Sequence, residues 1–209
     1  MTLILVRHGE SQGNIRGLMQ GQLDMPLTDA GREQAAFVAE RLKFEGGAQR
    51  IVASPLVRAY ATAEVAGKVL GLSVSGDKRL MEYDFGEASG LTVSEVLERY
   101  PGWSWLSDEV KSEGHFYIPG EEGWSAFQER VFGAVTELVG LDGQTIAVTH
   151  GGVVMAALNA VMRTHGKSAP GSRRVPFPMK NCSITELGRD EKGRLVLQRH
   201  NDYCHLPVA

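Results

Sequence analysis

Residues 1–14 have the sequence MTLILVRHGESQGN, in which an apolar run is followed at once by charged and polar residues. The run at residues 3–6 is apolar and half β-branched, which is typical of a buried strand. Arg7 and His8 therefore stand at the carboxyl end of this strand, where open α/β sheets bind their ligands. Because a guanidinium pairs well with anions, the stretch predicts an anion site, although it is also compatible with a structural histidine.

The composition indicates one domain, residues 1–209, that binds anions through a local cluster of residues. The chain has 209 residues, and 43% of them are hydrophobic, which is enough for one well-buried core. Its 22 Lys and Arg residues and 25 Asp and Glu residues give a net charge of -3. This balance argues against nucleic acid or an anionic membrane as a partner.

We expect a cytoplasmic protein without a membrane span or signal peptide, because no run approaches about 18 apolar residues. Cys182 and Cys204 have neither metal-binding nor redox spacing. We predict that they are small buried thiols rather than a disulfide, as is usual in a reducing compartment. The sequence leaves open whether the chain forms a homo-oligomer.

Strands and helices alternate in the first half of the chain. Thr28 is the predicted N-cap of a helix that ends at Gly46-Gly47, and a second strand is predicted at residues 50–53. The apolar positions of that helix recur at helical spacing: Ala35, Val38, Ala39 and Leu42. Residues 72–74 are predicted to form a third, shorter strand.

The next helix is predicted directly behind the strand at residues 50–53. Ser54 and Pro55 are interpreted as its cap and its first residue. Its predicted apolar stripe consists of Val57, Ala61, Val65 and Val69. This register leaves Arg58 in the first turn, beside the same carboxyl edge, where it is either an anion ligand or a solvated surface arginine.

Residues 81–87, MEYDFGE, bring three acidic residues together with apolar neighbours. A carboxyl group held beside Tyr83 or Phe85 would be suited to general acid catalysis. On its own, the segment is better explained as a solvated acidic turn.

A helix is predicted at residues 92–99, before Pro101, and residues 101–123 are predicted to form a cap or lid. The lid is rich in glycine, serine and aromatic residues. Its aromatic side chains either contact a carbon-rich leaving group or pack the lid onto the core: Trp103, Trp105, Phe116 and Tyr117.

The second half of the chain repeats the opening arrangement. A helix with a strong apolar stripe contains Phe127, Val131, Ala134, Val135 and Leu138. The strand at residues 145–149 then ends in His150-Gly151-Gly152, before a helix to about Met162, and a closing hairpin pairs residues 183–187 with 195–199. The alternation predicts a three-layer α/β/α sandwich with a mainly parallel central sheet.

Four distant segments thus direct two histidines, two arginines and a carboxyl group to one edge of the sheet. In this combination the chain resembles the histidine phosphatase superfamily, which has the phosphoglycerate mutase-like fold. The resemblance covers almost the whole chain. It rests on Arg7-His8-Gly9-Glu10-Ser11, Asn14, Gly21, Pro26-Leu27-Thr28, Gly31, Ser54-Pro55, Arg58, Glu82, Thr149-His150-Gly151-Gly152, and the tail residues Asn201-Asp202 and His205-Leu206.

The resemblance implies a phosphatase that forms a phosphohistidine on His8 and uses Glu82 as its proton donor. The implied catalytic residues are His8, Glu82, His150, Arg7 and Arg58, and the implied phosphate-binding residues are Arg7, Asn14, Gln20, Gly21, Arg58, His150 and Gly151. The implied substrate is a small-molecule phosphate ester, and the scheme needs no metal or other cofactor. These residue types suit the chemistry, because a phosphate dianion repels anionic nucleophiles but accepts attack by a neutral imidazole flanked by guanidinium groups.

Within the superfamily, three features favour a phosphatase over a cofactor-dependent phosphoglycerate mutase. Mutases usually carry a longer insertion after the acid, and the segment between Glu82 and Thr145 lacks it. Mutases also tend to have a basic residue after the acid, where this chain has Tyr83. Gln20 before Gly21 favours the same branch. This preference is an analogy within the family.

Two further functions stay as alternatives. A non-catalytic phospholigand-binding protein of the same fold is disfavoured by the intact His8, Glu82 and His150, and a metal hydrolase lacks any His-Glu-x-x-His spacing. The chain also departs from the family pattern twice. Gly13 replaces a residue that is usually bulky, and residues 120–123, GEEG, replace the common Gly-Glu-Ser.

Overall fold

The computed structural model describes residues 1–101, 103, 118–164 and 176–207, and for residues 163 and 164 the backbone only. Within these ranges the strands are β1 (Thr2–Arg7), β2 (Arg50–Ala53), β3 (Val74–Gly76), β4 (Gln144–Thr149), β5 (Ile184–Arg189) and β6 (Leu195–Asp202). The α-helices are α1 (Gln12–Ile15), α2 (Asp29–Phe44), α3 (Val57–Leu70), α4 (Val93–Arg99), α5 (Trp124–Gly140) and α6 (Gly151–Thr164).

The strands form a single sheet in the order β3-β2-β4-β1-β5-β6. The first four in this order are parallel, whereas β5 pairs antiparallel with both β1 and β6. The predicted mainly parallel sheet and its closing hairpin are therefore confirmed.

Helices cover both faces of the sheet, as expected for a three-layer sandwich. Successive side chains of a strand point to opposite faces. Accordingly, Leu3 and Leu5 pack in the core with α5 and α6, and Ile4 and Val6 pack in the core with α2 and α3. All four side chains are fully buried, which explains why β1 is a continuous apolar run rather than an alternating one.

The predicted cap of α2 is confirmed. Thr28 Oγ1 accepts the N–H of Gly31 at 2.9 Å, and α2 ends at Phe44, before Gly46-Gly47. Its predicted apolar positions are buried, as is the predicted stripe of α5.

The predicted start of α3 is wrong. The helix begins at Val57, with Leu56 at the N-cap position, and the N–H of Val57 donates to Asp24 Oδ1 at 2.9 Å. The cap thus comes from a loop that lies 33 residues earlier. The predicted stripe is also rotated by about one position, since the buried residues are Arg58, Ala59, Thr62, Ala63, Ala66 and Gly67. The third strand, at Val74–Gly76, lies later than predicted.

Both cysteines are free thiols, but only Cys182 is buried. Cys204 is exposed beside Arg41, whose Nη1 donates to its Sγ at 3.0 Å, because it lies in the surface tail after β6. The prediction of a buried thiol is therefore wrong for Cys204.

Most of the predicted lid, including Trp105, Phe116 and Tyr117, lies outside the described residues. Trp103 is described, and it is buried in the core beside α5 and α6. Across the described parts of the chain, no helix combines the length and apolarity that crossing a membrane would need.

Candidate active site

The parallel register brings the two site histidines together. Arg7 at the end of β1 is paired with Thr149 at the end of β4, so His8 and His150 follow side by side. Their ring centroids lie 5.2 Å apart. β2 is the other neighbour of β4 and places Ser54 at the same edge. The sequence prediction that these segments converge on one edge is confirmed.

The turn after His8 is locked by close backbone packing against the start of α2. A Cβ on Gly9 would lie 2.4 Å from the carbonyl oxygen of Gly31, a distance that real Cβ atoms essentially never show. A Cβ on Gly31 would lie 2.0 Å from the carbonyl oxygen of Glu10. Gly9 also donates its N–H to Thr62 Oγ1 at 3.1 Å. These contacts fix the direction in which His8 leaves the strand.

His8 is held as a neutral imidazole with one defined tautomer. Its Nδ1 lies 2.7 Å from the carbonyl oxygen of Gly9, which can only accept, so Nδ1 carries the proton and Nε2 is the unprotonated nitrogen. The side chain is buried. Burial, followed by the positive charges of Arg58 and Arg7, holds the pKa of His8 well below its usual range.

Arg58 is a buried site residue and not a solvated surface arginine. It is 1% exposed, and its Nε donates to His8 Nε2 at 3.3 Å. Its two terminal nitrogens donate to the carbonyl oxygens of Leu23 at 2.8 Å and Gly21 at 2.7 Å. Burial lowers the pKa of Arg58 to about 10, against the attraction of nearby carboxylates, so the guanidinium is charged at neutral pH.

Arg7 and His150 each present a buried nitrogen at this edge without a partner among the described residues. Arg7 Nη1 donates to the carbonyl oxygen of Met179 at 2.6 Å, but Arg7 Nε is unpartnered. His150 Nε2 lies 2.7 Å from Ser54 Oγ, and its Nδ1 is unpartnered. Buried polar atoms are normally paired, so these two nitrogens are candidates for hydrogen bonds to a ligand. A Cβ on Gly151 would lie 3.8 Å from Arg7 Nε.

Glu82 is held against the N-terminus of α6. Its two carboxylate oxygens accept N–H groups from Gly152 at 3.0 Å and from Tyr83 at 2.9 Å. A Cβ on Gly152 would lie 2.2 Å from Glu82 Oε1, so glycine is required there for this approach. No group of three or more His, Cys, Asp or Glu in the described ranges is arranged to hold a metal ion.

Asn14 and Gln20 are linked to each other through Ser11. Ser11 Oγ lies 2.9 Å from Asn14 Oδ1 and 2.8 Å from Gln20 Oε1. Gln20 is buried, and a Cβ on Gly13 would lie 2.3 Å from its side chain. The glycine that departs from the family pattern thus makes room for Gln20.

The sequence pattern of the histidine phosphatase superfamily (branch 1) matches residues 3–203. The chain belongs to this superfamily. It is 31% identical to the "Probable phosphoglycerate mutase GpmB" of Salmonella paratyphi C over 212 aligned residues, which cover 99% of this chain and 95% of the relative.

Two solved structures of the superfamily resemble this protein over nearly their whole length. A mycobacterial glucosyl-3-phosphoglycerate phosphatase in complex with VO3 is 30% identical, with a TM-score of 0.75 and coverage of 96% of this chain and 98% of its own. A His-to-Ala mutant of the phosphoserine phosphatase from Entamoeba histolytica, in complex with phosphoserine, is 25% identical, with a TM-score of 0.78 and coverage of 99% of both chains.

Sequence reasoning missed Arg130, which holds the acid segment, residues 81–87, in place. Its guanidinium donates to the carbonyl oxygens of Arg79 at 2.9 Å, Met81 at 2.7 Å and Glu82 at 3.0 Å. It also pairs with Glu122, the second acid of the unusual GEEG segment, at 2.9 Å. Because these partners are mostly backbone carbonyls about 50 residues away, no motif could have revealed them.

Asn181 is a second residue that sequence reasoning missed. Its Nδ2 donates to the carbonyl oxygen of His8 at 2.9 Å and to Asn14 Oδ1 at 3.2 Å. The N–H of the next residue, Cys182, donates to the carbonyl oxygen of Arg7 at 3.0 Å. This segment before β5 therefore supports the backbone on both sides of the His8 Cα.

Proposed function

We propose that this protein is a phosphatase that hydrolyses small-molecule phosphate monoesters through a phosphohistidine on His8, with Glu82 as the proton donor. The observation that carries the proposal is the 2.7 Å contact between His8 Nδ1 and the carbonyl oxygen of Gly9, which assigns the tautomer. The carbonyl of Gly9 keeps the proton on Nδ1, so Nε2 is unprotonated. Its lone pair, which accepts the 3.3 Å bond from Arg58 Nε in this structure, is the one that would attack phosphorus. Burial and two guanidinium groups lower the pKa of His8, which keeps the ring neutral and nucleophilic at neutral pH.

In the first step, His8 Nε2 forms a bond to phosphorus as the ester P–O bond breaks. Arg58 Nε lies 3.3 Å from Nε2, and the ring of His150 lies 5.2 Å from the ring of His8. Together with Arg7, the residue before His8, these groups would stabilise the negative charge on the transferred phosphoryl oxygens. Asn14 lies at the same edge, linked through Asn181 to the backbone of His8.

The leaving alkoxide needs a proton, and we assign Glu82 as the acid that would give it. Two N–H groups fix the orientation of its carboxyl group, and Arg130 fixes the backbone that carries it. In the second step the Glu82 carboxylate takes a proton from water as the water oxygen attacks phosphorus and the N–P bond breaks. Inorganic phosphate leaves, and both His8 and Glu82 return to their starting protonation states.

A phosphoglycerate mutase is the competing function, favoured by the name of the Salmonella relative. A mutase returns the phosphoryl group to another hydroxyl, whereas a phosphatase gives it to water. The residue after the acid is Tyr83, which is 1% exposed and donates its hydroxyl to Glu121 Oε2 at 2.9 Å. It faces the core and offers no positive charge to a second acidic group of the substrate, which supports the phosphatase.

The test is turnover of a panel of phosphate monoesters, including phosphoserine, glucosyl-3-phosphoglycerate and 3-phosphoglycerate, in the presence and absence of a metal chelator. Release of phosphate and formation of 2-phosphoglycerate are followed separately for the wild type and for His8→Ala. His200→Ala is the matched control, because His200 lies on β6 and its ring bonds to Thr185.

We expect the wild type and His200→Ala to release phosphate and His8→Ala to release none. Isomerisation of 3-phosphoglycerate without release of phosphate would establish the mutase instead. If the wild type shows neither reaction on any ester but binds the esters, the non-catalytic alternative is correct.

A further inference from the structure

Ser54 has a buried hydroxyl that no predicted role explains. It follows β2 and is fully buried. The sequence suggested that it caps α3, but that helix begins at Val57, whose N–H is bound by Asp24. The hydroxyl instead lies 2.7 Å from His150 Nε2.

The hydrogen bonds of Ser54 determine where its single hydroxyl proton points. The backbone N–H of Leu56 can only donate, and it lies 3.3 Å from Ser54 Oγ, so the oxygen accepts that bond. Among the described residues, His150 Nε2 is the only other partner of this hydroxyl. Ser54 therefore donates its proton to His150 Nε2, which must be the unprotonated nitrogen of the ring.

The reverse arrangement leaves polar groups unsatisfied. If His150 Nε2 carried the proton, it would donate to Ser54 Oγ, and the buried hydroxyl proton would have no acceptor within the described ranges. Because a buried hydrogen bond left unmade is costly, the arrangement in which the Ser54 hydroxyl donates is favoured. Burial and the nearby positive charge of Arg58 lower the pKa of His150, so the ring is neutral and its one proton is on Nδ1.

We propose that Ser54 is a positioning residue that orients the His150 ring and keeps its proton on Nδ1, so that this N–H is donated to the phosphoryl group transferred to His8. The assignment rests on the proposed phosphatase function. It gives a role to the buried His150 Nδ1, which has no partner within the described ranges, because the His150 ring lies 5.2 Å from the ring of His8. The chain of donors runs from Leu56 N–H through the Ser54 hydroxyl and the imidazole to the phosphate.

The direct test is proton–nitrogen correlation NMR of the full-length protein with isotope-labelled histidine, which distinguishes protonated from bare ring nitrogens. The signals of His150 are assigned by their absence in His150→Asn. We expect the wild type to show a bare Nε2 and a protonated Nδ1, Ser54→Thr to retain this pattern, and Ser54→Ala to lose it. A protonated Nε2 in the wild type would overturn the proposal even if the Ala variant fails to fold.

Kinetics provide the second test. Ser54→Ala should lower kcat about tenfold and leave KM within about threefold, a smaller effect than the direct removal of a transition-state donor, which costs about 10²–10³. Ser54→Thr should recover most of the loss. Full kcat in a folded Ser54→Ala would overturn the positioning role. If the wild type releases no phosphate at all, the proposed function fails, while the NMR spectrum still decides the tautomer.

Discussion

The two histidines of the site end neighbouring parallel strands and are each followed by glycine, but their rings are held in opposite ways. His8 Nδ1 faces the carbonyl oxygen of Gly9, the next residue, so its Nε2 is bare. His150 Nε2 faces Ser54 Oγ, from a strand end 96 residues earlier. The same strand–His–Gly pattern thus supplies either a lone pair or an N–H. In each ring, the hydrogen-bond partner of one nitrogen decides whether the other nitrogen offers a lone pair or an N–H. That partner can be remote in sequence.

The largest effect should come from removing each histidine in turn. His8→Ala should abolish phosphate release, because no nucleophile remains. His150→Ala should lower kcat/KM about 10²–10³-fold and still form a phosphoenzyme, because it removes only a preorganised donor. Steady-state kinetics measures kcat/KM. Quenching the reaction with a labelled phosphate ester measures the amount of phosphoenzyme. Loss of the phosphoenzyme in both variants would mean that the two rings do not have separate roles.

Arg58 contacts His8 rather than His150, with its Nε 3.3 Å from His8 Nε2. Its replacement by alanine should cost about 3 to 4 kcal/mol of transition-state stabilisation, at least a hundredfold in kcat/KM. Arg32→Ala, on the exposed side of α2, is the control and should retain full turnover. Nearly full turnover in Arg58→Ala would place this arginine outside the chemistry.

Substitutions of Gly9, directly after His8, and of Gly152, two residues after His150, should also differ in effect. Gly152→Ala would place a Cβ 2.2 Å from the carboxylate of Glu82 and displace it, so kcat should fall about tenfold to a hundredfold. Gly9→Ala would instead press on the backbone of Gly31 at 2.4 Å, so it should destabilise the fold by about 1–3 kcal/mol.

Gly133→Ala is the control for both glycine substitutions. Gly133 lies within α5 with no atom within 4 Å of an added Cβ, so alanine should stabilise the helix by up to about 1 kcal/mol. Thermal unfolding and kcat are measured for all three variants. A fall in kcat for Gly133→Ala, or an unchanged kcat for Gly152→Ala, would contradict the assigned contacts.

In one respect the two histidines should behave alike, since the fold should resist the protonation of both rings. Burial lowers the pKa of both below their unfolded value of about 6.5. As the pH falls below about 6.5, the unfolded chain binds protons that the folded chain does not, so each histidine lowers the free energy of unfolding by up to about 1.4 kcal/mol per pH unit. Above that pH their full contribution to stability is present.

This pH dependence is measured by denaturant unfolding of the wild type and of the His8→Ala/His150→Ala double variant. His200 and His205, whose pKa values are also lowered by burial, contribute equally to both proteins and cancel in the difference. We expect a steeper loss of stability on acidification in the wild type. Equal slopes would show that the two site histidines are not held neutral by the fold.

Local patterns were sufficient to predict the parts of the site that lie at strand ends. The apolar runs of β1, β2 and β4 predicted their positions, and parallel pairing then required Arg7, His8 and His150 to meet at one edge. The cap of α2 was predictable for the same reason, since Thr28 bonds to a residue three positions away. The family resemblance added Glu82, whose segment alone was ambiguous.

Contacts between distant segments could not be predicted from the sequence. Asp24 takes the capping role assigned to Ser54, which frees the hydroxyl for His150 and shifts the buried face of α3. Arg130 and Asn181 act largely on backbone carbonyls, which every residue type carries, so their partners leave no signature in the sequence.

The most direct test of the central claim is to locate the phosphoryl group on the enzyme. The protein is mixed with a phosphate ester that it hydrolyses, and the reaction is quenched under alkaline conditions that preserve phosphohistidine. The phosphorylated residue is then mapped by peptide mass spectrometry. We expect a single acid-labile phosphoryl group on the peptide that contains His8, absent in His8→Ala. Phosphate release with no labelled peptide, or a label on another residue, would contradict a mechanism through His8.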